Sequence, residues 1–403
     1  SGSSIVRRDT HAPDYVVLVA VVALTAIGVL MVYSSSAMQA YAGSANSFAV
    51  VGPQVVWGAL GLLALIVMSR VDYRRLRLLS IPLYVLAVGL LILVFVPAFN
   101  RVVGGSARFL QIGPLPAVHP AEVAKLALVV YLAHWLATRG SGVRDLGRGF
   151  LPFLLIYLPL VLLVIAEPDL GTASVIALTG LVMVFIAGAR LSHLAALGGL
   201  GVSGVAAFML HGYQLERIRI WLNPWQDTTG AGYHAIQSLL ALGLGGIFGA
   251  GLGQSQIAGG IALPNASNDF IFAVIGEEFG LVGAGIVIAL FIILAYQGVR
   301  ISLAAPDTFG ALLAAGITAW LCIQAFINIA VVVAVIPITG ITLPFISAGG
   351  SSLSISLAAV GILLSISRET IERGTWNDAP ADRGRRNGRA HLPRAGRRPV
   401  TSR

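Results

Sequence analysis

The sequence carries very little charge. Asp, Glu, Lys and Arg together make up 11% of its 403 residues, whereas a soluble domain carries about 25%. This shortage excludes an ordinary soluble enzyme. Runs of roughly 18 or more apolar residues recur along the chain, and each predicts a membrane-spanning helix. Because these runs are continuous and do not alternate with polar residues, a transmembrane β-barrel is also excluded.

Cysteine and lysine are almost missing. The single Cys, Cys322, lies within an apolar run, so the chain has no disulfide framework. Lys125 is the only Lys, and the formal charge of +9 is therefore carried by Arg. Ten Arg against four carboxylates give residues 368–403 a net charge of +6. A basic tail beside a membrane is typical of contact with anionic membrane lipid, and it indicates nucleic-acid binding only weakly.

The apolar runs predict an all-α polytopic membrane protein with about ten transmembrane helices. The predicted spans are 15–34, 49–68, 79–97, 119–137, 150–166, 172–189, 192–210, 270–297, 309–336 and 352–367. With ten spans, the Arg of the N-terminus, of the loops after spans two, four, six and eight, and of the tail fall on one side. By the positive-inside rule this side is the cytoplasm, so both termini are predicted to be cytoplasmic.

The predicted organisation has three parts. They are a cytoplasmic segment at 1–14, a transmembrane domain at 15–367 and a disordered basic cytoplasmic tail at 368–403. The large exterior loop, 211–269, lies between spans seven and eight. Its Gly-rich stretch, Gln237 to Leu252, is short for a span and rich in a residue that destabilises helices. We predict a re-entrant or interfacial segment that is buried against protein.

Four Arg depart from the cytoplasmic bias and lie on the exterior side, namely Arg101, Arg108, Arg217 and Arg219. Long exterior loops tolerate Arg, which explains Arg101 well. Arg also makes bidentate contacts with phosphate oxygens, so an anion clamp is the alternative. We favour the clamp for Arg108 and Arg217, and give the two interpretations equal weight for Arg219.

Glu122 and Lys125 form an ionisable pair early in the predicted fourth span. Their i, i+3 spacing places them on one helix face, where they can pair. A charged pair in an apolar helix is costly and indicates a functional site. A structural salt bridge near the interface is a serious alternative. The position of the pair near the exterior surface, beside the Arg108 loop, favours a role in a site there.

Asp269 is the sharpest candidate for chemistry, because it lies where the long exterior loop meets the predicted eighth span. The alternative is a helix cap, since Ser267, Asn268 and Asp269 are all good N-cap residues. A helix N-terminus would lower the pKa of the Asp269 carboxyl, which is favourable for a charge stabiliser and unfavourable for a general base. Glu277, about 12 Å further along the helix, is expected on roughly the same side and away from lipid.

Two segments punctuated by Pro and Gly complete the exterior side. In the turn at 167–172 we expect Asp169 or Thr172 to cap the next span, and we favour this structural role over catalysis. The segment 337–352 contains two Pro and a Gly pair at membrane depth, so it must line protein or a cavity. Backbone N–H groups around Gly349 and Gly350 could hold an anion there, with a plain loop as the alternative.

Several motifs occur in order along the chain. They are GSARF at 105–109, HPAEVAKLALVVYLA at 119–133, EPDLGT at 167–172, GAGLGQS at 249–255, LPNASNDFIFAVIGEEFG at 263–280 and PITGITLPFISAGGSS at 337–352. With the stretch from Arg217 to Leu239, these motifs resemble the SEDS family (shape, elongation, division, sporulation), the FtsW/RodA group of bacterial cell-wall polymerases. Phe109 stands where the family usually has Trp, and His119 where it usually has Gln.

The resemblance implies a glycosyltransferase that joins lipid II units on the outer face of the bacterial cytoplasmic membrane. Asp269 matches the family's proposed catalytic Asp, and it would deprotonate the attacking GlcNAc 4-hydroxyl. Arg108, Arg217 and Lys125 would offset the charge of the leaving undecaprenyl pyrophosphate. The other residues expected to contact substrate are Glu122, Arg219, Gln237, Ser238, Glu277, Gly349, Gly350 and Ser351.

The same resemblance implies a class B penicillin-binding protein and other division proteins as partners, at the division site. The ISAGGSS motif and the basic tail favour the FtsW division branch over RodA-type elongation. The sequence contains no nucleotide-binding P-loop and no Cys and His cluster with zinc spacing. No cofactor is identified, and nothing in the sequence supports a divalent cation.

The same residues are compatible with two rival functions. In a lipid II flippase, Glu122 and Lys125 would serve ion coupling. Transporter sites usually lie near the bilayer midplane, whereas these polar clusters concentrate on the exterior side. In a non-catalytic division scaffold, Asp269 and the exterior Arg set would have no purpose.

Overall fold

A computed structural model describes residues 12–41, 47–103, 106–111, 117–209, 213–228, 230–257, 263 and 266–369. Most of the predicted tail and of the N-terminal segment lies outside these residues. The helices are α1 (Tyr15–Tyr41), α2 (Ser47–Arg70), α3 (Leu76–Val94), α4 (Pro120–Arg139), α5 (Leu151–Ala166), α6 (Leu170–Ile186), α7 (Leu191–Met209), α8 (Tyr213–Leu222), α9 (Ala231–Gly245), α10 (Ile271–Ala304), α11 (Thr308–Val332) and α12 (Gly350–Ser367).

Within the described ranges, eight helices are long and apolar enough to cross a membrane. Two shorter apolar helices, Leu170–Ile186 and Leu191–Gly201, coincide with the predicted sixth and seventh spans. The prediction of an all-α polytopic membrane protein is therefore confirmed. The count of ten spans and the cytoplasmic position of both termini stay predictions.

The centre of the bundle is α11, which contacts α4, α6, α10 and α12. Most of α11 and α12 is enclosed by protein, whereas α2 and α3 expose large apolar side chains such as Leu63 and Leu78. Exposed apolar side chains suit contact with lipid tails, which are as apolar as Leu. The enclosed helices α4, α11 and α12 carry several of the buried polar groups, among them Glu122, Gln324 and Ser356.

A short antiparallel hairpin, which the sequence pattern did not predict, precedes α4. It consists of β1 (Asn100–Val103) and β2 (Ser106–Leu110), and Arg101 lies opposite Phe109 in its register. Leu110 and Val118 exchange two backbone hydrogen bonds of 2.9 Å, which tie β2 to the start of α4. The hairpin thus fixes the strand that carries Arg108 next to α4.

The Gly-rich stretch is helical as far as Gly245, the end of α9, and then lies against α10. At Gly280 the helix α10 is broken, with a φ of 66°. Four backbone hydrogen bonds of 2.9 to 3.1 Å join residues 246–251 to residues 277–282 across this break. Backbone groups at membrane depth need partners within the protein, and residues 246–251 supply them to the groups on both sides of the break. The backbone of the stretch thus packs against α10, whereas side chains such as Phe248 are exposed, so the prediction of a buried re-entrant or interfacial segment stays a prediction.

Gly280→Ala is expected to lower the free energy of unfolding by more than about 1 kcal/mol, because a side chain is strained at this positive φ. A Cβ there would also overlap the backbone of Ile247 and Gly249. Gly285→Ala is the matched control on the same helix, since nothing lies within 4 Å of its added Cβ. Thermal unfolding of the detergent-purified proteins measures both effects. A melting temperature of Gly280→Ala equal to that of the control would contradict the packing described above.

Candidate active site

Asp269 lies in the turn that leads into α10, and it faces the segment 337–349. Asn328 on α11 donates one amide hydrogen bond of 2.8 Å to the Asp269 carbonyl and another of 2.6 Å to the Ile341 carbonyl. One side chain thus ties the turn to the segment. A Cβ on Gly340 would lie 3.6 Å from Asp269 Oδ2 and 4.0 Å from Arg108 Nη1. The carboxylate and the guanidinium therefore approach the same point on the segment.

The pKa of Asp269 differs from the expectation. The N-cap position of α10 belongs to Phe270, which makes no side-chain capping bond. Burial, reinforced by the charge of Asp169 and opposed by Arg108, raises the pKa of Asp269 to about 6. The expectation that this pKa is lowered is wrong, because Asp269 precedes the N-cap position and burial raises its pKa. A carboxyl with this pKa is ionised at neutral pH yet close enough to ambient pH to work as a general base.

Arg108 extends from β2 and is held by backbone carbonyls. Its Nε donates to the Glu167 carbonyl at 3.4 Å, and its Nη2 donates to the Pro168 carbonyl. These contacts fix the plane of the guanidinium and leave Nη1 directed towards Gly340. A guanidinium with a fixed orientation can offer N–H groups to phosphate oxygens with little further loss of side-chain entropy.

The turn at 167–172 caps α6 and also contributes to the site. Asp169 Oδ1 accepts the Thr172 N–H at 3.0 Å, as predicted, and Oδ2 pairs with His119 Nε2 at 3.5 Å. Burial acts to raise the pKa of Asp169, but His119, Arg108 and the Thr172 N–H outweigh it and lower the pKa to about 2. Asp169 is consequently a permanent negative charge near Asp269.

Glu167 is almost fully buried, and burial together with the charge of Asp169 raises its pKa to about 8. It is therefore mostly protonated at neutral pH. His119, Glu167 and Asp169 are the site residues that the sequence argument did not select. The signal for Glu167 and Asp169 was the unaltered EPDLGT motif, whose carboxylates were assigned to turn chemistry alone, and the signal for His119 was its place where the family usually has Gln.

Glu122 and Lys125 pair as predicted, inside the bundle and against α11. Lys125 Nζ donates to Glu122 Oε1 at 2.8 Å and to Gln324 Oε1 at 2.6 Å, and it lies 5.2 Å from the centroid of the Trp320 ring. Gln324 in turn donates to the Thr342 carbonyl at 3.0 Å. The pair therefore supports the segment that faces Asp269, and both of its side chains are buried.

Two of the residues expected to contact substrate are engaged in internal bonds. Ser238 Oγ donates to the Val332 carbonyl at 2.7 Å, which joins α9 to the end of α11. Glu277 is buried and not lipid-facing, as expected, but its carboxylate accepts the Ser255 hydroxyl and the Gln256 N–H at 2.7 Å. These bonds give Ser238 a role in joining two helices and Glu277 a role in holding the loop at 255–256.

The expected anion nest is altered by local bonding. The Gly349 N–H donates to the Ser347 carbonyl at 2.8 Å, so the nest loses that donor. Gly350 packs on the Trp57 ring, where a Cβ would overlap it. Ser351 Oγ accepts the backbone N–H of His119 at 3.2 Å. These three residues thus lie where α12 meets α2 and α4.

The remaining expected contacts lie on the elements of the large loop. Arg217 and Arg219 both belong to α8, Arg219 is exposed, and the Arg217 side chain lies outside the part that the structure describes. Gln237 is half-buried on α9. Among the described residues, no group of three or more His, Cys, Asp or Glu is arranged to hold a metal ion.

Comparisons with known proteins cover nearly the whole membrane region. The family model for FtsW, RodA and SpoVE, described as a cell cycle protein, matches residues 15–372. Stage V sporulation protein E of Bacillus subtilis is 42% identical over 358 residues, which are 89% of this chain and 97% of that protein. The protein named "Probable peptidoglycan glycosyltransferase FtsW" of Trichlorobacter lovleyi is 40% identical over 366 residues, which are 90% of this chain and 96% of that protein.

Two solved structures are also similar to this chain over most of its length. A chain from a structure described as "Structural coordination of polymerization and crosslinking by a peptidoglycan synthase complex" is similar at a TM-score of 0.73 and 31% identity, over 89% of this chain and 98% of that one. The rod shape determining protein RodA of Thermus thermophilus is similar at a TM-score of 0.65 and 29% identity, with the same coverage of each chain.

Proposed function

The chain belongs to the FtsW/RodA/SpoVE family of cell cycle proteins, and from this premise we propose that it is a peptidoglycan glycosyltransferase whose catalytic base is Asp269. Its substrates are lipid II-type undecaprenyl-pyrophosphate glycans on the outer face of the cytoplasmic membrane. The observation that carries the assignment of residues is the convergence of Asp269 and Arg108 at Gly340, beside the Asp169 turn.

The reaction joins two glycans and releases one undecaprenyl pyrophosphate. The 4-hydroxyl oxygen of the acceptor GlcNAc attacks the anomeric carbon of the donor MurNAc, while the bond from that carbon to the pyrophosphate oxygen breaks. Asp269 takes the hydroxyl proton as the new bond forms. Arg108 offsets the charge that develops on the leaving undecaprenyl pyrophosphate. Attack on the face opposite to the leaving group inverts the linkage to β.

Arg108 suits the second role because its position is fixed before substrate binds. Backbone carbonyls of Glu167 and Pro168 orient the guanidinium, and donors that are already oriented need no reorganisation when charge develops. Arg217, Arg219 and Gln237 belong to the large loop, and we propose that they contact the sugar or pyrophosphate. Glu122 and Lys125 act through Gln324 and Thr342 on the segment that faces the reacting groups.

We further propose a class B penicillin-binding protein as partner and septal wall synthesis as the setting. Polymerised glycan must be crosslinked, and a similar chain is found in a peptidoglycan synthase complex that couples polymerisation to crosslinking. Several relatives near 40% identity carry the name FtsW, which favours the division branch over elongation. We accordingly propose that the protein acts in the bacterial cytoplasmic membrane at the division site.

A paired assay tests polymerisation against transport. The full chain, purified with the class B penicillin-binding protein of its own genome, receives labelled lipid II in detergent and, in parallel, in vesicles. We expect glycan polymer in detergent and no protein-dependent scrambling of lipid II between leaflets. Scrambling of lipid II in vesicles without any polymer in detergent would show that the protein is a flippase and not a polymerase.

The rate of polymerisation is expected to fall as pH falls through about 6, because burial and Asp169 raise the pKa of Asp269 to about that value. A base must be ionised to accept a proton, so activity is present above this pH and lost below it. Initial rates of lipid II consumption across a series of buffers measure this fall in rate at acidic pH. A rate that stays constant well below pH 6 would show that no carboxyl with this pKa acts as the base.

A further inference from the structure

The backbone of the turn that carries Asp269 is held from outside the turn. Three consecutive carbonyls of this turn each accept a hydrogen bond from α11 or from the segment 337–349. The donors are the Ala348 N–H to Ser267 at 2.9 Å, the Ser347 hydroxyl to Asn268 at 2.7 Å and the Asn328 amide to Asp269 at 2.8 Å. The turn therefore cannot shift as a unit without losing all three bonds.

Asn328 holds two parts of the site at once. It lies on α11 with 1% of its surface exposed, and its Nδ2 donates to the carbonyls of Asp269 at 2.8 Å and of Ile341 at 2.6 Å. An amide nitrogen carries two hydrogens, and both are used here. Ile341 follows Gly340, the point that the Asp269 carboxylate and the Arg108 guanidinium approach. Asn328 thus sets the distance between the turn and the segment that both groups approach.

The other end of the Asn328 amide indicates which of its atoms matters. Its Oδ1 is buried and has no hydrogen-bond partner within the described part of the chain. A flipped amide would set this oxygen against two carbonyl oxygens, so the nitrogen must face them. Buried polar atoms in proteins are usually paired, and an unpaired acceptor is unfavourable for stability. The two donated bonds are consequently the use that Asn328 serves at this position.

The segment that receives these bonds is itself anchored. Gln324 lies four residues before Asn328, on the same face of α11, and it donates to the Thr342 carbonyl at 3.0 Å. Within the segment, Ser347 Oγ accepts the Leu343 N–H at 2.7 Å while it donates to the turn. Because the segment is fixed by α11 and by its own bonds, Asn328 and Ser347 transmit its position to the turn.

We propose that Asn328 and Ser347 are positioning residues of the polymerisation site, which hold the Asp269 turn so that its carboxylate meets the attacking hydroxyl at hydrogen-bond distance. The inference rests on the proposed function, because it concerns the base of that reaction. A general base must lie within about 2.6–3.2 Å of the atom whose proton it takes. A misplacement of about 1 Å can cost about 100-fold in rate. Both residues act through the backbone of the turn.

The test is steady-state polymerisation of lipid II by the full chain with its penicillin-binding partner. Asn328→Leu removes both donors at similar side-chain size, and Ser347→Ala removes the hydroxyl. For each variant we expect kcat per folded protein to fall by about 10- to 100-fold, while KM for lipid II stays within about two-fold of the wild-type value.

Tyr84→Phe is the matched control. The Tyr84 hydroxyl also donates to a backbone carbonyl of another helix, that of Ile156 at 2.6 Å, and it joins α3 to α5, which carry none of the site residues. This variant is expected to keep the wild-type kcat and KM. A fall of kcat in Tyr84→Phe equal to that in Asn328→Leu would overturn the inference, because the loss of any bond between helices would then have the same effect.

The outcomes separate this inference from the proposed function. Wild-type polymer that requires Asp269, together with a wild-type kcat per folded Asn328→Leu protein, would overturn the positioning role alone. A raised KM with an unchanged kcat would do the same, since the bonds would then shape substrate binding. If Asn328→Leu does not fold, Ser347→Ala decides, and a wild-type kcat in that variant would overturn the inference. If the wild-type protein makes no polymer, the proposed function and the inference both fail.

Discussion

Asp269→Asn is expected to reduce the rate of lipid II polymerisation by about 100- to 10,000-fold, the range typical for loss of a general acid or base. The amide is nearly the same size as the carboxylate but cannot accept the proton of the attacking hydroxyl. The Asp269 carbonyl, which anchors the turn to Asn328, is backbone and is unchanged by the substitution. Lipid II turnover measures the loss, and thermal unfolding confirms that the variant is folded.

Asp145→Asn is the matched control for this substitution. Asp145 is a helix-capping Asp that accepts the Gly147 N–H at 3.2 Å, and Asn caps helices as well as Asp does. It lies in the predicted cytoplasmic loop after α4, away from the site. The control is expected to polymerise at the wild-type rate. Equal rates for Asp269→Asn and Asp145→Asn would show that Asp269 takes no part in the reaction.

Lys125→Met is expected to lower the free energy of unfolding by about 3–5 kcal/mol, because it leaves the Glu122 carboxylate buried without its partner. The loss should be severe in this chain, since Lys125 also bonds Gln324 and lies over the Trp320 ring. We expect a strongly lowered melting temperature and little protein in the membrane. Polymerisation falls with it, because Thr342 loses the support that reaches it through Gln324.

The double variant Glu122→Gln/Lys125→Met separates charge from packing. Replacing both partners removes the uncompensated charge, so most of the stability lost in Lys125→Met is expected to return. If the double variant is as unstable as Lys125→Met, packing of the long Lys side chain matters more than the buried charge. If Lys125→Met unfolds at the wild-type temperature, the pair is not part of the structural support of the site.

Fold class was accessible from the sequence because the bilayer imposes a simple rule. A helix must be about 20 apolar residues long to span it, and ten apolar runs met or approached that length. The hairpin at 100–110 was missed because two strands of four and five residues are too short to show a period. The break at Gly280 was missed because its cause is the approach of residues 246–251, which no local pattern reveals.

Site residues could be predicted from the sequence only where a charged residue occurs in an otherwise apolar stretch. Asp269, Arg108, Glu122 and Lys125 stood out because charge is scarce. Asp169 did not stand out, because an Asp before a helix has an ordinary use as a cap, and it does cap α6. Its second contact, to His119, joins residues 50 positions apart and is set by the fold. The raised pKa of Asp269 likewise depends on burial, which the sequence does not give.

The most direct test of Asp269 as the catalytic base is to count both products of the polymerisation reaction. Labelled lipid II is supplied to the wild-type protein and to Asp269→Asn, each with the penicillin-binding partner, and both released undecaprenyl pyrophosphate and new glycosidic bonds are quantified. We predict one undecaprenyl pyrophosphate for each new β-linkage with the wild-type protein, and neither product above background with Asp269→Asn. Equal amounts of polymer from the two proteins would contradict the assignment of Asp269 as the base.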